Sequence, residues 1–113
     1  MSKIEKIEKY IREGKVKKLV SLSRSNDKAV RLAAIAGLGR LAENEVSLNA
    51  LVSLSGDSDA DIREAVAVAF GESGGSYVES QLTYCISHEK ETKVLDAAKR
   101  SLTKIRESQK SYA

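Results

Sequence analysis

The sequence predicts an all-α fold: an α-solenoid (superhelix) of three stacked helix pairs with an N-terminal capping helix. Three observations predict it. Leu19-Val20-Ser21-Leu22-Ser23 recurs unchanged as Leu51-Val52-Ser53-Leu54-Ser55, 32 positions later. Val30-Arg31 and Leu38-Gly39 return at the same interval of 32 as Ile62-Arg63 and Phe70-Gly71. The 113 residues contain no proline, as suits a nearly all-helical chain. A fixed period of roughly 20–50 residues marks stacked repeats, each unable to bury its apolar face alone.

The first element is a helix over about 2–13, outside the repeat, with Ile4, Ile7 and Ile11 as one apolar stripe on a charged cylinder. It suits a terminal cap, since the end of a stack needs a polar outer face. The cap is assigned to 1–14 and the repeats to about 15–43, 46–75 and 78–107, giving a single domain over 1–108. The first helix of each pair is anchored by Leu19 and Leu22, Leu51 and Leu54, then Leu82 and Ile86. The second helix carries Val30, Ala34, Leu38 and Leu41 at helical spacing. Asn26 or Asp27 caps its start, and Asp59 does so one repeat later. Gly56 and Gly74-Gly75 suit turns that need positive φ. The third copy matches by residue class, with Val94 for Ile62, Ala97-Ala98 for Ala65-Val66 and Leu102 for Phe70. Residues 109–113 are expected to fray as a tail.

Composition excludes several classes. One cysteine forms no internal disulfide, and one Cys with one His makes a protein-only zinc site improbable. A 42% apolar content is ample for a packed core. No stretch approaches the roughly 20 apolar residues of a membrane span, and 1–14 lacks the apolar run of a signal peptide. A cytoplasmic protein is expected, with no membrane partner.

Charge is uneven along the chain. Residues 1–31 hold ten Lys/Arg and four Asp/Glu, 32–72 hold two and seven, and 73–113 hold seven and five. The basic start, with Lys3, Lys6, Lys9, Arg12, Lys15, Lys17 and Lys18, is a footprint for an acidic partner or nucleic acid, or else a solvated helix face. The solvated face is the favoured reading, because the aromatics and motifs of nucleic-acid binders are missing.

A strand-free helix pair at this period, with Val-Arg and Leu-Gly in its second helix, resembles HEAT repeats. The variant it resembles most is the short HEAT-like repeat of the phycobilisome-lyase type. The pattern of an acid in the inter-helix turn, Val-Arg six residues on, then Ala-Ala and Ala-Leu-Gly, is met in copy two by Asp57, Ile62-Arg63, Ala65 and Ala69-Phe70-Gly71. Copy one has Ser25 at the turn acid, and copy three departs most, with Glu89, Leu95 and Thr103. The resemblance covers about 15–107. It implies an armadillo-like scaffold, a structural bond from Arg31 and Arg63 to a turn acid, and, as a further role, an accessory lyase or chaperone subunit for a chromophore protein.

No catalytic constellation emerges. Cys85 falls where the other copies have Ser21 and Ser53, so it reads as packing. His88 lies three residues on, but a Cys–His pair lacks the orienting group and oxyanion site that nucleophilic catalysis needs. The glycines at 37–39 and 71–75 follow no strand and precede no Gly-Lys-Ser/Thr, so they make no phosphate loop. No catalytic residue, metal ligand or cofactor is assigned, and the chain is read as a non-enzyme.

At about 100° per residue, the second-helix side opposite the buried stripe shows Leu32, Ile35, Ala36 and Gly39 in copy one. Copy two shows Glu64, Ala67, Val68 and Gly71 there, and copy three Asp96, Lys99 and Arg100. Apolar residues on a face that should be solvated mark a binding surface. The expected function is protein–protein interaction along this concave face, through Leu32, Ile35, Ala36, Glu64, Ala67, Val68, Asp96, Lys99 and Arg100. Nucleic-acid binding through the basic start ranks second. Three repeats offer a small footprint, which a homo-oligomer would enlarge.

Overall fold

The structure, a computed structural model, describes residues 1–110. Among them are seven α-helices and no strand: α1 (Lys3–Arg12), α2 (Val16–Leu22), α3 (Lys28–Arg40), α4 (Glu45–Leu54), α5 (Ala60–Phe70), α6 (Ser76–His88) and α7 (Thr92–Lys110). α7 thus continues two residues into the segment expected to fray, and 111–113 lie outside the described residues.

Local chemistry sets the helix starts. Ser2 and Glu5 form a capping box on α1. Asp27, Asn44 and Asp59 accept backbone N–H bonds at the starts of α3, α4 and α5. Gly75 precedes α6 with φ 94°, and Gly14 turns the chain into α2 with φ 65°. Gly56 has no positive φ, so its turn does not depend on glycine for conformation.

The helices form two layers. α2 and α4 lie side by side in one, with α6 beyond them; α1, α3, α5 and α7 run successively through the other. The capping helix therefore occupies the place of a second-layer helix, packing on α3 as α3 packs on α5. The core between layers includes Leu19, Leu38, Leu51, Ile62, Val66 and Leu82, each at most 1% exposed. The smallest dimension, 18 Å, accommodates two helices at ordinary packing distance.

Glycine sets the spacing within the second layer. A Cβ on Gly39 would stand 2.8 Å from Ala69 Cβ, and one on Gly71 would stand 2.7 Å from Ser101 Oγ. The two contacts are related by the 32-residue period, since 39 becomes 71 and 69 becomes 101. Gly39 and Gly71, placed on the open side by helical geometry, are buried seams between neighbouring helices. Ser101 sits against Gly71 and donates its hydroxyl to the Ala67 carbonyl at 2.7 Å. Thr103 stands at the third glycine position and is exposed, so α7 does not admit a further helix at the same close distance.

Candidate functional site

A ladder of hydrogen bonds fixes the pitch of the second layer. Arg31 donates from Nε to the Ser23 carbonyl at 2.7 Å and from Nη2 to Asp57 of the next repeat at 3.0 Å. Arg63 repeats the pattern: Nη1 donates to the Asp57 and Ser58 carbonyls, while Nε and Nη2 engage both oxygens of Glu89. Glu89 therefore takes the turn-acid role. Ser25, Asp57 and Glu89 each accept the N–H two residues on, which holds the turn in all three copies. These bonds keep the acids ionised: the Asp59 N–H, then Arg31, lower the Asp57 pKa, and Arg63 lowers that of Glu89.

A second charged row crosses the starts of the same helices. Lys28 of α3 pairs with Asp59 at 2.9 Å and with Asp61, and Asp61 also meets Lys93 of α7. Held by Lys28 first and Lys93 second, Asp61 titrates at about 2.

Between these rows and the far ends of α3 and α5 lies a groove of about 510 Å³. Leu32 and Ala36 form its α3 wall, and Ala65, Val68 and Ala69 its α5 wall. Val68 is 54% exposed, which is unusual for a valine flanked by apolar neighbours. Asp61, Glu64, Arg40 and Glu72 provide the polar margin, with Glu72 bonded to Lys104 at 3.1 Å.

The structure brings Leu32, Ala36, Glu64 and Val68 together in this groove. Two expected site residues are corrected: Ile35 is 0% exposed and Ala67 3%. The reason is the width of the buried arc. α3 is covered by α1, α2, α4 and α5; Lys28, Ala29, Ala36 and Arg40 stay exposed, with Arg31, Leu32 and Ala33 half-buried beside them. A single-faced amphipathic helix would expose a half-cylinder, but a helix packed by four neighbours does not. Asp96, Lys99 and Arg100 are exposed on α7 outside the groove lining, and Lys99 is free of burial because no helix covers α7's outer side.

Arg40, Asp61, Ala65, Ala69 and Glu72 line the groove without having been expected there. For Arg40 and Glu72 the signal was present, because 40 and 72 extend the rows 32–36 and 64–68 by one helical turn.

The basic residues Lys3, Lys6, Lys9, Arg12, Lys15, Lys17 and Lys18 are all exposed, and none joins an ion pair among the described residues. Cys85 is half-buried, and burial pushes its thiol pKa up, away from nucleophilic character. His88 closes α6, its ring stacked on Tyr84 at 4.0 Å. No group of three or more His, Cys, Asp or Glu among the described residues is placed to hold a metal, and no described helix is long and apolar enough to cross a membrane.

A family model for HEAT repeats matches residues 16–103. No curated protein and no solved structure matches the chain.

Proposed function

The chain belongs to the HEAT-repeat family, and from that premise we propose that it is a scaffold binding a protein segment in the α3–α5 groove. HEAT repeats generally mediate protein–protein interaction and are typically non-enzymatic. The observation that carries the proposal is a continuous apolar lining between charged margins, with Ala36 and Val68 exposed and Leu32 and Ala65 half-buried. Apolar area supplies affinity there, and Glu64, Arg40 and Glu72 set orientation. Asp96, Lys99 and Arg100 extend the surface along α7. The ladder keeps the two walls at constant spacing, so the groove is preorganised. The finer assignment to short repeats of the phycobilisome-lyase type is proposed on Val30-Arg31 and Ile62-Arg63 in their ladder positions.

The test is capture from the native host, read by mass spectrometry, with wild type, Leu32→Asp and Val68→Asp. Loss of the same partner in both variants, with circular dichroism unchanged, supports the groove. Undiminished capture by folded variants refutes it.

A second reading is polyanion binding through the N-terminal end. The seven unpaired cations there contrast with Lys28, Arg31, Arg63, Lys93 and Lys104, all of them ion-paired. Retention on heparin that falls steeply with salt would support it, and passage through the column at low salt would exclude it.

A further inference from the structure

α6 carries two very different sides. One holds buried Val78 and Leu82, with Cys85 and Ile86 half-buried beside them, and packs mainly on α7 and lightly on α5. The opposite side, at about 100° per residue, carries Tyr77, Ser80, Tyr84 and Ser87. All four are exposed, Tyr77 at 51% and Tyr84 at 65%, and these two are the exposed tyrosines among the described residues. Their alternating steps of three and four residues are those of a helix–helix seam. The stripe has no charge, in a chain of which 31% is charged. Glu79, the one acid of α6, is engaged by Arg106 and Gln109 of α7. The uncharged surface continues onto α4 through exposed Val46, Asn49 and Ser53, and ends at Lys17 and Lys18 on α2.

We propose that this stripe is a homodimer interface, in which α6 packs antiparallel on α6 of a second copy. Two properties select a second copy as the occupant. A surface without charge meets its own image with no like-charge repulsion, and charge depletion with tyrosine is the composition of an interface centre. The shape is also self-complementary, as a two-fold contact requires. An axis beside Leu82 sets each residue against the one equally far beyond 82. Tyr77 then faces Ser87 and Ser80 faces Tyr84, so a ring meets a small hydroxyl side chain at all four levels. Large against small is what lets facing rows interdigitate. Sliding one copy by three or four residues sets Tyr84 against Tyr77 or against its own image, which fixes the register. The His88 ring, stacked on Tyr84 at 4.0 Å, restrains that ring before the copies meet. α6 has 13 residues and is about 20 Å long. Such a seam lies at the small end of specific interfaces, below about 1,200 Å² in total, so a transient dimer with a Kd of about 10–100 μM is expected. The stripe faces away from the second layer, to which the α3–α5 groove belongs, so both grooves of the dimer stay open and the scaffold becomes bivalent. The interface does not rest on the groove having a partner.

Sedimentation velocity of the full chain, from about 5 μM to about 500 μM, reads the association. The mass should rise from monomer to dimer and go no further, because a two-fold contact closes on itself. Ser80→Glu and Tyr84→Lys lie at exposed positions, so each should keep its circular dichroism. Each should weaken dimerisation by about ten-fold or more, since it sets like charges of the two copies close together. An equimolar mixture of the two variants should associate at least about ten-fold more tightly than either alone. In that mixture the new carboxylate at position 80 faces the new ammonium at position 84 across the seam. Leu32→Asp should leave association unchanged, which separates this interface from the groove. A monomer at every concentration, growth beyond a dimer, undiminished association of either folded variant, or a mixture no tighter than its components would overturn the proposal.

Discussion

Arg63 of α5 holds Glu89 of the following repeat in a two-pronged bond, Nε to Oε1 at 2.9 Å and Nη2 to Oε2 at 3.2 Å. Both side chains are shielded, at 20% and 10% exposure, so solvent screens the pair only partly. The Arg31–Asp57 bond is its image one repeat earlier. In α7 the equivalent position is Leu95, and the ladder stops there.

Replacing Arg63 by Met should cost about 2–3 kcal/mol, because it strands the Glu89 carboxylate and two carbonyls together. Urea unfolding measures it. A double-mutant cycle with Glu89→Gln should return a coupling of about 1 kcal/mol or more, and additivity within error would show that the pair does not set the repeat pitch.

Gly39→Ala and Gly71→Ala should each destabilise by about 1–3 kcal/mol, although alanine favours helix over glycine by about 1 kcal/mol. The added methyl on Gly39 meets the Ala69 backbone at 2.9 Å and cannot be relieved by a side-chain rotation. Gly56→Ala is the control. It has open space and no positive φ, so it should be neutral or stabilising by up to about 1 kcal/mol. Equal midpoints for all three would contradict the close-packed seam.

Ile35→Ala should cost about 2–5 kcal/mol and Val68→Ala no more than about 0.5 kcal/mol. The two residues sit one period and one position apart, yet one is 0% and the other 54% exposed. Thermal melts distinguish them, and comparable losses would mean that the α3–α5 groove is closed in solution.

Acid should weaken the fold. The folded-state pKa values of Asp57, Asp61 and Glu89 are all depressed, Asp61 to about 2. Such groups stabilise the fold above the unfolded carboxylate range of about 3.9–4.3 and lose that contribution as pH falls through the folded values. Urea midpoints should therefore hold from pH 7 to about 5 and then decline toward about 2. Glu89→Gln should be less stable than wild type at pH 7, and the difference should shrink as pH drops. A constant difference across the range would rule out the ladder as its source.

Much of this molecule was readable before any coordinates. The 32-residue return of Leu-Val-Ser-Leu-Ser, Val-Arg and Leu-Gly marked two helix pairs and class matches such as Val94 and Ala97-Ala98 marked a third, because periodicity and caps are local properties. Leu32, Ala36, Glu64 and Val68 were also legible as one surface, since helical spacing and a fixed period place them in neighbouring rows. Tertiary structure alone decided which flanks stay open. Ile35 and Ala67 vanish beneath adjacent helices, while Gly39 and Gly71 become seams. It alone decided that the turn acid Arg63 reaches is Glu89 of the next repeat, and that α6 stands off from α4. Those outcomes depend on how many neighbours surround each helix and on the summed bulk of side chains from three elements. No single stretch of sequence contains that information.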